Sequence, residues 1–258
     1  MSKTRHSQFH GALVRTFAVD FHAPQTLSYK AQGWDLVVHA TQGVLSVSID
    51  GRVWVLPSHQ ALWVPHTQQP TIHVATPAKL RSVYLRPTDS ARLPKKCCVL
   101  AVTHLFAAIA EVCALRGVLL SRKPADRRLA AVLRDQLLPA SGEPLEVPQP
   151  SHPDAQRFAA ILRNSPPDTP LRELARLFGA SLRTLERLFE SDLGLSLAAW
   201  RRRLRLQKAL EFLAMQKNVA EAAYLCGYSS ASAFVSMFRR EFGVTPARYF
   251  RSLHSELQ

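Results

Sequence analysis

The chain repeats itself. ELARLFGAS (173–181) returns as EAAYLCGYS (221–229) at an offset of 48, with Glu173 over Glu221, Ala175 over Ala223, Leu177 over Leu225, and the Gly and Ser coinciding. One extra residue later, LFESDLGLS (188–196) aligns with MFRREFGVT (237–245) at an offset of 49, matching Phe189 with Phe238 and Gly194 with Gly243. Each copy reads as a short helix, a glycine turn and a second helix. That is the layout of a helix-turn-helix: Gly179 or Gly227 supplies the turn, the small Ala175 or Ala223 lets the helices approach, and the second helix can enter a major groove. A single copy is also what a helical hairpin in a bundle looks like. Between the copies, residues 197–215 read as one helix, about 28 Å long at about 1.5 Å per residue. Such a rigid spacer can set two reading helices near one duplex turn apart, about 34 Å.

The rest of the composition sets wide bounds. Hydrophobic residues make up 47% and charged residues 20%, ordinary values for a soluble globular chain. No run of 18 apolar residues occurs and the start MSKTRHSQFH carries no apolar signal core, so a cytoplasmic protein without a membrane partner is expected. Cys97, Cys98, Cys113 and Cys226 form no CxxC pair and read as small apolar residues rather than a disulfide frame or zinc site. The net charge of +14 favours a polyanionic partner. It does not locate the site, because residues 151–258 hold 16 Lys and Arg against 10 Asp and Glu while residues 1–150 hold 17 against 9.

Before residue 103 the hydrophobic pattern has a different period. LVRTFAVDF, WDLVVHA, GVLSVSI, RVWVL, ALWVP, TIHVAT, KLRSVYLRP and CCVLAV are short alternating or β-branched runs punctuated by Gly and Pro. Asp50-Gly51 between two of them signals a type I′ hairpin. Seven or eight strands at this spacing predict a small barrel or sandwich. Residues 103–116 and 124–138 then switch to helical spacing, either as a dimer interface or as a cover for the barrel. Residues 139–153 contain five prolines, which argues against any regular element and places a linker there. Helix starts follow at Asp154, Thr169, Ser181, Ser196, Ser230 and Thr245.

LRELARLFGASLRTLERLFESDLGLSLAAWRRRLRLQKALEFL and VAEAAYLCGYSSASAFVSMFRREFGVTPARYF resemble the DNA-binding domain of AraC/XylS-type transcriptional regulators, most specifically through GYSS, FRREFG, TP and Tyr249. The resemblance implies two helix-turn-helix units bridged by a long helix and reading successive major grooves. Upstream, the segment containing ALWVP and LRSVYLRP resembles the cupin-like sensor barrel of one AraC subgroup. The expected architecture is therefore α+β with two domains: a cupin-like β-barrel followed by two helices, residues 1–140, sensing and dimerising; a linker, 141–153; and an all-α domain, 154–258. The expected function is a sequence-specific DNA-binding transcriptional regulator responding to a small molecule, and not an enzyme. The alternative is a cupin-fold metalloenzyme with a helical assembly domain. Candidate partners are double-stranded DNA, a small-molecule effector, RNA polymerase and a second copy of the chain.

In the first reading helix, Leu182, Leu185, Leu188 and Phe189 form the core face, leaving Arg183, Thr184, Glu186 and Arg187 outward as base-reading candidates. Arg can bond guanine O6 and N7 with both arms, and Glu can accept from cytosine N4. Glu186 paired with Arg183 or Arg187 on the helix surface is the competing reading. In the second helix the matching residues are Ala231, Ser232, Val235 and Ser236, short side chains suited at best to thymine methyl contacts and weak hydrogen bonds. Arg201, Arg202, Arg203 and Arg205, with Arg239 and Arg240, are the phosphate candidates, a solvated face being the competing reading for the first group. Related sensor barrels carry an HxH and a later His; here those positions hold Tyr29, Ala31 and Pro70, so neither a metal nor another cofactor is expected. Trp34, His39, Trp54, Trp63 and Tyr84 are the effector-pocket candidates, or else ordinary core aromatics.

Overall fold

The computed structural model describes residues 11–29, 33–88, 93–139, 145–215 and 218–251. Ala31 and residues 141–144 of the expected linker lie outside the described residues. In chain order the elements are β1 (Ala12–Phe21), β2 (Gln25–Ser28), β3 (Asp35–Gln42), β4 (Val44–Ile49), β5 (Arg52–Pro57), β6 (Gln60–Val64), β7 (Thr71–Val74), β8 (Ala78–Leu85), β9 (Cys98–Ala101), α1 (His104–Arg116), β10 (Val118–Leu120), α2 (Pro124–Asp135), β11 (Leu138–Pro139) and β12 (Glu146–Pro148). Helices follow: α3 (Pro153–Asn164), α4 (Leu171–Phe178), α5 (Leu182–Leu193), α6 (Leu197–Ala214), α7 (Val219–Leu225), α8 (Ala231–Phe242) and α9 (Pro246–Arg251). Two compact units form, and the α+β architecture is the expected one. The first contains the described residues up to Leu45 and those from Leu56 through β11; the second contains Ser46–Val55 and the described residues from Leu145 onward.

In the sheet-rich unit, seven strands run in the order β10-β1-β8-β3-β6-β9-β11. Register sorts its side chains into two faces, because successive residues of a strand point to opposite sides. Val37 opposes both Trp63 and Val83, and these pack with Phe106, Ile109 and Leu133 of α1 and α2 in one core. Leu36 opposes Val64 and Tyr84 on the other face. There the chain following β2, which pairs with β7, brings the Tyr29 ring within 5.6 Å of Phe17 and 6.1 Å of Tyr84. Arg81 fixes α1 to the sheet, donating from Nε to Glu111 Oε2 at 2.7 Å and from Nη1 to Asp20 Oδ1 at 2.8 Å.

The helical unit recruits a β-hairpin. Asp50 adopts φ 47° and Gly51 φ 75°, the positive pair that a type I′ turn requires. β12 pairs with β5, Val147 opposite Val53, and both valines join Phe158, Phe189 and Trp200 in the helical core. The proline-rich stretch is thus not devoid of regular structure, contrary to the sequence expectation. β12 sits at a sheet edge, where Pro148 lacks a donor without breaking a ladder, and Trp200 Nε1 donates to the Pro148 carbonyl at 2.7 Å. Two helix starts also shift slightly. α3 begins at Pro153 behind His152 and α4 at Leu171 behind Pro170, whereas Ser181, Ser196 and Ser230 cap α5, α6 and α8 as expected.

Candidate nucleic-acid interface

The sequence duplication is reproduced in the backbone bonds of the two turns and in the caps of the two second helices. In the first unit Gly179 N donates to Arg176 O at 3.0 Å and Ala180 N to Ala175 O at 3.1 Å; 48 residues on, Gly227 N donates to Tyr224 O at 2.9 Å and Tyr228 N to Ala223 O at 3.0 Å. The glycines hold φ 84° and 75°, a left-handed conformation that any side chain would strain. Each second helix then opens on a serine cap. Ser181 Oγ accepts from Thr184 N at 3.1 Å and Ser230 Oγ from Ala233 N at 3.1 Å. Each closes alike too, with Gly194 N donating to Glu190 O at 2.9 Å and Gly243 N to Arg239 O at 2.8 Å. Phe189 and Phe238, the aligned pair, are both fully buried.

Anchoring one face of α5 and α8 defines the other. On α5, Leu185 and Phe189 are buried, with Phe189 edge-on to Phe158 at 6.2 Å and to Trp200 at 5.4 Å. Arg183, Thr184, Glu186 and Arg187 are all exposed on the opposite side. No ion pair among the described residues engages Arg183, Glu186 or Arg187. Arg183, Thr184 and Arg187 line a groove of about 540 Å³ with His152, Asp154 and Ser191. On α8, Ser232 and Ser236 are exposed as expected, but Ala231 and Val235 are half-buried and Ala233 is exposed in their place.

The arginines of α6 are not a free cationic strip. Arg201 donates to the carbonyls of Pro167 at 2.7 Å and Thr169 at 2.5 Å, and Arg205 also donates to Pro167. Arg203 donates to the Glu146 carbonyl at 3.2 Å, and Arg202 pairs with Glu241 of α8 at 2.7 Å. All four are half-buried. Of the two readings, phosphate contact and a solvated face, it is the solvated face that does not hold: these side chains brace the α3–α4 connection, β12 and α8, and burial lowers the pKa of Arg201. Arg201, Arg202 and Arg205 nonetheless form one wall of a cleft of about 510 Å³, closed on the α8 side by Ala233, Ser236 and Arg240. Arg239 and Arg240 remain exposed.

Residues 174–252 match the family described as a helix-turn-helix domain. Over 218 residues, 84% of this chain and 80% of the relative, the sequence is 30% identical to the HTH-type transcriptional regulator NimR of Escherichia coli (strain K12). The chain belongs to the AraC-type helix-turn-helix transcriptional regulators. Over 74 residues, 28% of this chain and 27% of the relative, it is 40% identical to the HTH-type transcriptional activator RhaS of Escherichia coli (strain SE11). Among solved structures, ToxT from Vibrio cholerae O395 aligns over 94% of this chain and 98% of its own at 9% identity and a TM-score of 0.39.

In this AraC-type chain the five aromatic and histidine candidates for an effector pocket do not converge, which corrects the sequence expectation. His39 and Trp63 point to the helix-covered face of the sheet, and Tyr84 points to the other. Both of the former are occupied structurally. His39 Nε2 bonds the Ser58 carbonyl at 2.9 Å while its ring meets Phe106 edge-on at 5.6 Å, and Trp63 Nε1 donates to the Pro94 carbonyl at 2.8 Å. Burial pushes His39 down to about 4. Trp54 lies on β5, whose residues through Val55 belong to the helical unit. Trp34 and Tyr84 share surroundings through Arg15, whose guanidinium stands 5.3 Å from the Trp34 ring and 5.7 Å from that of Tyr84. Sequence reading passed over Arg15; its place two residues before Phe17 on an alternating strand was the available signal. Among the described residues, no group of three or more His, Cys, Asp or Glu is placed to hold a metal, and no helix is long and apolar enough to cross a membrane.

Proposed function

We propose that this AraC-type regulator reads double-stranded DNA chiefly through α5, with α8 entering the neighbouring groove and contributing little base choice. The observation that carries this reading is the exposed, ion-pair-free face of α5 bearing Arg183, Thr184, Glu186 and Arg187. Each bidentate arginine–guanine or glutamate–cytosine contact discriminates by about 1–3 kcal/mol. Ala231, Ser232, Val235 and Ser236 of α8 have neither the length nor the donors for that. Arg239 and Arg240 make the phosphate contacts, joined by Arg202 at the cleft, while Arg201 and Arg203 tie α6 to the α3–α4 connection and to β12 and Arg205 bridges that connection and Tyr228 of the second turn. Measuring Arg187→Ala and Ser232→Ala on a panel of single-base operator variants tests the division. Arg187→Ala should erase preference at one base pair, and Ser232→Ala should weaken binding evenly or not at all. A larger loss of specificity from Ser232→Ala contradicts the assignment.

The sheet-rich unit serves in this reading as sensor and dimerisation module. An effector acts only by binding the DNA-competent and incompetent states with different affinity. Dimerisation is assigned to α1, whose Leu105, Ala108, Val112 and Leu115 are all exposed and recur at the three-four-three spacing of a coiled-coil seam. Leu115 is 82% exposed, unusual for so large an apolar side chain with nothing to cover it. An activating role, as in the name of RhaS, would add RNA polymerase as a partner.

A further inference from the structure

The cleft between α6 and α8 gathers cations from both helices. Arg201, Arg202 and Arg205 line it from α6, and Ser236 and Arg240, one turn apart, line it from α8. The exposed Ala198 and Ala233, also in its lining, are too small to fill it. Ser236 belongs as well to the exposed face of α8, so a duplex that takes this helix into a groove runs its backbone past the cleft.

The four guanidiniums are unequally committed. Arg201 and Arg205 are tied to the Pro167 carbonyl. Arg240 is exposed and makes no ion pair among the described residues. Arg202 is held by Glu241 alone. Its Nε stands 2.7 Å from Glu241 Oε1 but makes no hydrogen bond, so the two charges are close and misaligned. Among the described residues nothing engages its two Nη groups. The side chains are 41% and 25% exposed, and a pair so open to water adds little to stability. Burial and the Arg205 charge lower the pKa of Arg201, with Asp168 opposing them, as expected where cations outnumber the carboxylates beside them. A phosphodiester presents the same chemistry as the Glu241 carboxylate, a planar-fork partner of full negative charge, and arrives with the duplex.

We infer that this cleft seats one backbone phosphate of the DNA duplex, and that Glu241 occupies Arg202 in the free protein until the phosphate displaces it. The phosphate oxygens accept from the Nη groups of Arg202, from Arg240 and from the Ser236 hydroxyl, while Arg201 and Arg205 stay pinned to Pro167 and add charge from behind. The inference rests on the reading of this unit as a DNA reader and adds to it a built-in competitor that keeps binding weaker than the cleft alone would make it. Fluorescence anisotropy of the full chain, on a duplex that the same protein selects from a random pool, tests this over a salt series of about 50 to 200 mM. Glu241→Gln should bind about threefold more tightly, the scale of one exposed ion pair. Arg202→Gln should bind more weakly, with a log–log salt slope shallower by about 0.9, and Arg202→Lys should keep the slope. In the Arg202→Gln background Glu241→Gln should gain nothing, because the two residues act through one contact. Melting temperatures confirm that each variant folds.

Unchanged or weaker binding by Glu241→Gln overturns the inference and leaves a purely structural ion pair. An unchanged slope in Arg202→Gln, or an equal gain from Glu241→Gln in both backgrounds, overturns it as well, the second result making Glu241 a simple repulsive charge. Arg187→Ala on the same duplex and its single-base variants keeps the two readings apart. Base preference lost in Arg187→Ala while the cleft variants leave affinity unmoved removes the phosphate seat and leaves α5 as reader. The expected cleft pattern with base preference intact in Arg187→Ala does the reverse, and failure of the full chain to select or bind any duplex at low salt removes both.

Discussion

The two turn glycines offer a controlled comparison, because they hold the same backbone conformation in different surroundings. At Gly179, φ 84°, an added Cβ meets nothing within 4 Å, so Gly179→Ala carries only the left-handed strain, about 1–2 kcal/mol. At Gly227, φ 75°, the Cβ would lie 2.9 Å from the Pro167 carbonyl carbon and 3.0 Å from Asp168 N. Those are backbone atoms and cannot swing aside. Pro167 is moreover the residue whose carbonyl Arg201 and Arg205 hold. Gly227→Ala therefore adds an overpacking penalty of about 1–3 kcal/mol to the same strain, for a total of about 2–5 kcal/mol. Hydrogen exchange of the α5 and α8 amides measures both changes within the folded chain. Protection should fall modestly around α5 in Gly179→Ala, and by at least about fivefold more around α8 in Gly227→Ala. Equal losses in the two variants would refute the claim that the second turn is pinned against the α3–α4 connection.

Three further outcomes follow from the same structure. His39 is held neutral, at about 4, so the unfolded chain takes up a proton below about pH 6.5 that the folded chain does not. Its stability contribution is fully present above pH 6.5 and is lost as pH falls toward 4. At pH 5 the loss is about 2 kcal/mol, and His39→Gln should flatten the melting temperature of the sheet-rich unit between pH 7 and pH 5; an unchanged slope sinks the assignment. Leu115→Asp should convert a dimer to monomers in sedimentation velocity, and a wild-type monomer or an unaffected dimer removes α1 from the interface. Trp200→Phe keeps the buried ring but loses the bond to the Pro148 carbonyl, so denaturant titration should show about 1–2 kcal/mol of destabilisation, and no change would mean that β12 is held by other contacts.

What was legible in the sequence was what is local. The serine caps of α5, α6 and α8, both turn glycines and the Asp50-Gly51 hairpin declare themselves within a few residues, because capping bonds and positive φ involve near neighbours. The exposed face of α5 followed from helical period alone. What failed depended on partners far along the chain. Arg201 and Arg205 look like a solvated run until the Pro167 carbonyl, 34 and 38 residues away, arrives against them. Strand period places His39 and Tyr84 on faces of their own strands, but only the β3–β8 and β3–β6 registers say that those faces are opposite. β12 was hidden because its partner β5 lies more than 90 residues upstream, and three residues carry too short a pattern to announce a strand.

The central claim, that two duplicated units read DNA with α5 setting most of the sequence choice, is tested most directly by selecting bound duplexes from a random pool with the full chain and with Arg187→Ala. The wild type should enrich a motif with two blocks about one helical turn apart, the more sharply defined block losing one fixed base pair in the variant. Enrichment of no motif, or of the same motif by both proteins, would contradict it.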